Sequence, residues 1–233
     1  MKSASGVARA RSGETREWQV HQRPWRRNAP KVVSLWYSFA VTAEPDRKRA
    51  TYEDVLNAPE HLTAEVLDGE LCLTPRPPRS HLRSAAGLGS FLFGAFHVGA
   101  GGPGGWSILN QPELHLGTEP DILVPDIAAW RPGRLIDHLD LDEPFITIVP
   151  DWVCEILSPG TVRSDRMKKM PIFSREKIGH VWLVEPREKT VEVFRHDGAG
   201  YRLVGTFGGD DALRAEPFDG VEIPTAFLWG GRR

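Results

Sequence analysis

Cysteine is scarce: Cys72 and Cys154 are the only two in the chain. Both sit in apolar, strand-like runs far apart in sequence, which excludes a disulfide framework and any zinc-ligand spacing. A reducing, cytoplasmic compartment fits that usage. Long apolar runs are lacking too, and the stretch VVSLWYSFAV at 32–41 is too short to span a bilayer. There is no internal repeat. The glycines of GLGSFLFG lack the third member of a dinucleotide fingerprint, and no strand leads into them. Positive charge is outweighed over most of the chain. Residues 1–31 carry eight Lys/Arg against Glu14 and Glu17, a balance of +6, while the rest carries 21 basic against 29 acidic residues, a balance of −8. A body this acidic does not hold nucleic acid by its overall field, so any contact with DNA has to come from a local basic patch or from metal ions.

The basic segment 1–45 reads as a leader without a core of its own, since its mixture of Arg, Ser, Gly and Pro cannot bury apolar surface. The other reading is a secretory signal, with RPWRRNAPK as the charged region, VVSLWYSFAV as the apolar one and VTA as the cleavage site. Residues 46–233 are long enough for one catalytic-sized domain.

From about residue 50 the chain is punctuated legibly. TYEDVLNAP spells a short helix ending before Pro59. AEVLDGELCL spells a hairpin, because Asp68-Gly69 is a two-residue turn dipeptide. That pairing puts Glu65, Leu67, Glu70 and Cys72 on one face, and Ala64, Val66, Leu71 and Leu73 on the other, which reads as the core face. SHLRSAAGLGSFLFGAFHVG is a helix rich in small residues, able to lie close against a sheet. WSILNQPELHL and ILVPDIAAW read as one strand each. DWVCEILSPG is another strand, followed by a helix from Ser164 to about Lys177. HVWLVEP is a strand, TVEVFRHDGAGYRLVGTF a hairpin, and VEIPTAFLW extended. This order predicts an α/β (α+β) domain with a mixed central sheet flanked by helices.

Two of these strands carry an anomaly. In DWVCEILSPG, Trp152, Cys154 and Ile156 face one way and Val153 and Leu157 the other, yet Glu155 interrupts the run. In ILVPDIAAW both faces are again apolar, and Asp126 interrupts. A single carboxylate in a strand is commonly paired with an arginine or a backbone amide. Two neighbouring ones repel each other unless a cation joins them, and hard divalent cations prefer carboxylate oxygens. The pair therefore points to a metal site, Mg²⁺ or Mn²⁺. Pro125 has no N–H to give a ladder, so it marks a bulge or strand edge where a side chain can be re-aimed. In the next helix Ser164 reads as the N-cap, with Asp165 and Lys169 one turn apart on one face. Met167, Met170 and Phe173 supply the apolar side, and Lys168 projects outward.

VPDIAAW, PDWVCEILSPGTVRSDRMKKMPIF and HVWLVEP, in that order and preceded by EVLDGEL and PRPPRSH, resemble the Uma-two family of restriction endonucleases, within the PD-(D/E)XK nuclease superfamily. The resemblance covers about residues 50–230. It implies a restriction-endonuclease-like fold and Mg²⁺-dependent phosphodiester chemistry on DNA. Asp126 and Glu155 would be the acidic metal ligands, and Ile156 would offer a backbone carbonyl to the metal. The superfamily lysine would fall at 157, where this chain has Leu157; in the family it looks moved to the following helix, which matches Lys169. Replacing Lys169 is then expected to abolish cleavage while leaving the fold intact. Glu65 matches an acidic family position, and His81 a histidine opening the next helix. FSREKIGH departs from the family pattern. Arg76, Arg79, His81 and Arg83 are the candidate basic patch for DNA, and a homodimer is a candidate assembly. The competing classes are a nuclease-derived DNA-binding module without turnover, indifferent to Mg²⁺, and a metal-dependent hydrolase of a small phosphate compound, which would not need the basic loop.

Overall fold

The computed structural model describes residues 48–135 and 142–230; the leader at 1–45 lies outside the described residues. After a short helix α1 (Tyr52–Leu56), the strands β1 (Leu62–Leu67) and β2 (Glu70–Pro75) pair in full register, with Leu67 opposite Glu70. Asp68 and Gly69 both have positive φ, 53° and 79°, as a tight turn matched to strand twist requires. Helix α2 (Arg79–Leu92) runs on into a π turn over Phe93–Val98. Four short strands follow: β3 (Ser107–Asn110), β4 (Leu114–Leu116), β5 (Asp121–Leu123) and β6 (Ile127–Trp130). Strand β7 (Trp152–Ile156) leads into α3 (Val162–Ser164), a π turn (Asp165–Lys169) and α4 (Met170–Arg175). Strands β8 (His180–Glu185), β9 (Thr190–His196) and β10 (Tyr201–Gly208) come next. The chain then forms β11 (Ala212–Leu213), β12 (Ile223–Pro224) and α5 (Ala226–Trp229).

The main sheet is six-stranded, in the order β10-β9-β8-β7-β6-β3, and a four-stranded sheet has the order β2-β1-β5-β4. In the main sheet β7 and β8 are parallel and every other neighbour pair is antiparallel, so it is mixed as expected. Its two faces carry separate cores. On one, Trp152, Trp182 and Ile127 pack with Leu88 and Leu92 of α2 and with Phe218. Trp152 and Trp182 meet edge to face at 5.3 Å, and Phe218 sits 5.0 Å from Trp152, a geometry that adds about 1 kcal/mol per pair to simple burial. On the other face Val153, Leu157 and Leu183 pack with Phe173, Ile172 and Leu67. Glu155 shares the alternation of Val153 and Leu157, so it points to the side where the second helix and the smaller sheet lie.

Five expectations need correction, each for a local physical reason. ILVPDIAAW is two strands, because Pro125 cannot donate to a ladder; β5 joins the small sheet and β6 the main one. WSILNQPELHL divides likewise at Gln111-Pro112, with Gln111 at φ 48°. In the first hairpin Val66 is buried on the expected core face, but Glu65 and Leu67 on the glutamate face are buried as well, while Leu71 and Leu73 on the expected core face are 38% and 42% exposed. The second helix begins at Val162 after Thr161, so Ser164 is inside it with helical backbone rather than capping it, and Met167 faces solvent. VEIPTAFLW is extended only over β12 before it turns into α5.

Helix α2 depends on its small residues. Ser84 Oγ donates to the carbonyl of Leu228 at 2.6 Å, and a Cβ on Gly87 would lie 2.3 Å from the carbonyl oxygen of Phe227. A methyl cannot occupy that space without moving backbone. Gly94, in the following turn, has nothing within 4 Å of the corresponding point. Gly87→Ala is therefore expected to destabilise by roughly 3 kcal/mol through overpacking, and Gly94→Ala to be neutral or stabilising by about 0.5–1 kcal/mol through lost chain entropy. Urea unfolding midpoints of the two variants check the contrast; equal midpoints would refute the close approach of α2 and α5.

Candidate active site

The site forms where the two sheets separate. Asp126 follows Pro125 at the entry to β6, whose first residue, Ile127, pairs with Cys154; one step further places Asp126 beside Glu155. The Ile156 N–H donates to Asp126 Oδ2 at 2.7 Å, and His81 Nε2 lies 2.8 Å from Asp126 Oδ1. An ionised carboxylate only accepts, so His81 donates from Nε2. Its Nδ1 is buried without a partner. Glu65 enters from β1: its Oε1 accepts from the Val124 N–H at 2.8 Å and from Lys169 Nζ at 2.9 Å. Lys169 Nζ also donates to Glu155 Oε1 at 3.1 Å and stands 3.8 Å from Asp165 Oδ1. Both Asp165 and Lys169 lie in the π turn, whose wider winding is frequent at functional sites.

Every one of these groups is buried. Glu65, Glu155 and Asp165 are 2–3% exposed, Lys169 and His81 5% and Asp126 8%. Four carboxylates thus share a buried pocket with one ammonium and one imidazole. Burial raises the pKa of Glu155 well above the ordinary carboxyl range; Lys169 opposes this, and Asp165, Asp126 and Glu65 add to it. Burial likewise pushes Asp165 up to about 6, against the pull of Lys169 and a hydrogen bond from Thr161. For Lys169 burial works downward, but Glu155, Glu65 and Asp165 outweigh it and hold the ammonium well above its usual value. Lys169 is consequently a fixed positive charge near neutral pH and not a general base.

A cavity of about 50 Å³ opens among Glu65, His81, Asp126, Glu155, Asp165 and Lys169. Its donor set is oxygen-rich and over-supplied with negative charge, which suits a hard divalent cation. The carboxylates are at present engaged by Lys169, His81 and main-chain N–H groups, and among the described residues no three His, Cys, Asp or Glu side chains converge as ligands on one point. Binding an ion therefore requires these hydrogen bonds to be exchanged for metal–oxygen contacts. Of the candidate residues, Asp126, Glu155, Glu65 and Lys169 are brought together. His81 joins them rather than the basic patch, since it is buried against Asp126, whereas Arg76, Arg79 and Arg83 are exposed. Ile156 engages the site through its N–H. Asp165, read from sequence only as a helix partner of Lys169, is a third carboxylate at that lysine. Gln111 lines the same cavity and had no sequence signal beyond its place before Pro112.

The family model for Uma2 (Uma-two), described as "Putative restriction endonuclease", matches residues 49–226. The fold is similar to the crystal structure of "a putative nuclease belonging to DUF820" from Anabaena variabilis, with a TM-score of 0.62 and 23% identity, over 78% of this chain and 98% of that one. At such identity the likeness concerns the fold. No curated protein matches the chain.

Two consequences for stability are measurable. Lys169→Met would leave Glu65, Glu155 and Asp165 facing one another in a buried site, so it is expected to cost about 3–5 kcal/mol in urea unfolding. Asp165, held at about 6 when folded against an ordinary 3.8, favours folding fully below about pH 3.8 and loses that contribution as pH rises through about 6. Asp165→Asn should hence gain stability relative to the wild type between pH 4 and 7, by at most about 3 kcal/mol. A difference that stays constant across that window would show that Asp165 ionises without penalty.

Proposed function

This chain belongs to the Uma2 family, and from that premise we propose that it is a divalent-metal-dependent endonuclease that hydrolyses phosphodiester bonds of DNA. The observation that carries the reading is the lysine ammonium shared by Glu65, Glu155 and Asp165 beside the Asp126–His81 pair, all around one cavity.

Asp126 and Glu155 would hold Mg²⁺ or Mn²⁺, with Glu65 and the Ile156 carbonyl as further oxygen donors. When bound, such an ion supplies a Lewis acid that lowers the pKa of water and offsets phosphate charge. The protein's own contribution is positioning and electrostatics. The Ile156 N–H and His81 fix the rotation of the Asp126 carboxylate. The Val124 N–H does the same for Glu65. Lys169 remains charged and, anchored from two sides, can turn one of its three donors toward a non-bridging phosphate oxygen, where negative charge grows during attack. Because it stays protonated, the attacking water gives its proton elsewhere.

Incubation of supercoiled and linear duplex DNA with the protein tests the reading. Cleavage is expected with Mg²⁺ or Mn²⁺ and none in a chelator. Asp126→Asn should lower the rate by at least about 10³-fold, since it weakens both ion binding and the His81 contact. Cleavage of equal rate in the chelator would overturn the metal-dependent reading, and a protein that binds DNA with no turnover in either ion would be a binding module.

A further inference from the structure

Ion pairing of the arginines is sharply divided. Among the described residues, Arg76, Arg79, Arg83, Arg163 and Arg187 have no carboxylate partner, whereas every other described arginine lies within 3.6 Å of one. The five unpaired ones are exposed and are not scattered. Arg76 stands between Pro75 and Pro77, and Arg163 between Thr161 and Ser164; those four neighbours all line the catalytic cavity. Arg79 and Arg83, with Ser80, Leu228, Trp229 and Pro186, line a second cavity of about 310 Å³, and Arg187 follows Pro186 directly.

In a body of net negative charge, guanidinium groups left without acids in one zone are sites where the counter-charge must come from a ligand. The second cavity adds shape to that charge. Its volume is within the range of sites that hold small organic groups. The indole of Trp229 is fixed by donation from Nε1 to the Gly209 carbonyl at 2.7 Å and forms part of the wall. Arg83 lies across Gly230, where a Cβ would come within 2.2 Å of its guanidinium. Two planar donor forks, a hydroxyl and an aromatic wall suit a sugar-phosphate unit.

The placement on α2 connects this cavity to the chemistry. Arg79 and Arg83 are one turn apart on one side of the helix, while His81 between them reaches Asp126 on the other. The two cavities are thus separated by about one helix diameter, roughly 10 Å, or about three nucleotides at a rise of about 3.4 Å per strand. We propose that the Arg79–Ser80–Arg83–Trp229 cavity is a phosphate subsite for the duplex DNA being cut, about three nucleotides from the scissile bond, with Arg76, Arg163 and Arg187 along the path. The proposal rests on the nuclease reading and specifies how an acidic protein holds its polyanionic substrate.

Fluorescence anisotropy of a labelled 20-base-pair duplex, titrated in chelator across a salt series so that nothing is cut, tests it. The double variant Arg79→Gln/Arg83→Gln is expected to bind roughly tenfold more weakly, and to lower the slope of log K against log salt by about 2, one for each lost phosphate contact. The ion-paired control Arg195→Gln/Arg202→Gln should leave both unchanged, and melting temperatures should show that the first pair folds. If Arg83→Gln disturbs the Gly230 segment, Arg79→Gln/Arg187→Gln gives the same reading. Wild-type affinity and slope in the double variant would overturn the subsite alone. Loss of binding to single-stranded RNA of equal length, with duplex binding retained, would overturn the assignment to DNA. A wild type that binds with the expected slope yet never cuts with Mg²⁺ or Mn²⁺ would overturn the nuclease reading while leaving the subsite supported, one that binds no duplex in chelator yet cuts with either ion would overturn the subsite alone, and one that neither binds nor cuts overturns both.

Discussion

The structure is organised around one buried cation. Lys169 Nζ is within 3.1 Å of Glu65 and Glu155 and 3.8 Å from Asp165, and these acids come from β1, β7 and the π turn. Taking any of these charges out of water costs several kcal/mol, and only their mutual attraction returns it. The three elements must therefore arrive together or leave an unpaired charge inside. Strand β1 has no backbone ladder to β7, since the two lie in different sheets. The ammonium adds a charged tie between the two sheets to the apolar packing of Leu67, Leu116 and Leu123 against Val153 and Leu183. The arrangement still has more negative than positive charge, which keeps Glu155 and Asp165 eager for protons. A surplus of that kind is a poor way to stabilise a core and a good way to hold an ion.

Two proline-marked breaks make room for the cluster. At Gln111-Pro112 and at Val124-Pro125 the chain leaves one sheet for the other, so β3 with β6 and β4 with β5 form two antiparallel pairs that diverge. The Gln111 N–H donates to the Asp126 carbonyl at 3.0 Å, and the Val124 N–H to Glu65. The gap in the ladder thus supplies main-chain donors to the site. Helix α2 closes it from the other direction. Because Gly87 lets that helix approach α5, its first turn is held in place and His81 reaches Asp126.

Much of this was legible in the residues. Asp126 and Glu155 stood out because each interrupts a run that is apolar on both faces, and nothing but a partner or an ion makes that tolerable. Lys169 was legible through its spacing from Asp165, and the Asp68-Gly69 hairpin through turn chemistry that admits few alternatives. The inner face of that hairpin was not. Hydrophobicity alone assigned Ala64, Val66, Leu71 and Leu73 to the core; Val66 is buried there, but on the edge strand β2 Leu71 and Leu73 are exposed, and the helix carrying Lys169 packs on the face of Glu65. His81 in PRPPRSHLR read both as a match to a family histidine and as part of the basic patch; its burial depends on a contact 45 residues further along the chain.

The sequence by itself determined which residues could do chemistry and where the hairpins, the two main helices and the strands around Cys154 and Trp182 lie, because periodicity, turn dipeptides and misplaced charges are local properties. It also determined that the body is acidic, so that any polyanionic ligand has to be met by local charge. The tertiary structure alone decided the assignment of strands to two sheets, the side on which Glu155 opens, the third carboxylate at Lys169 and the separation of paired from unpaired arginines. Each of those depends on groups distant in sequence meeting in a medium of low dielectric, where a few ångströms convert a surface charge into a buried one and change its pKa and its role.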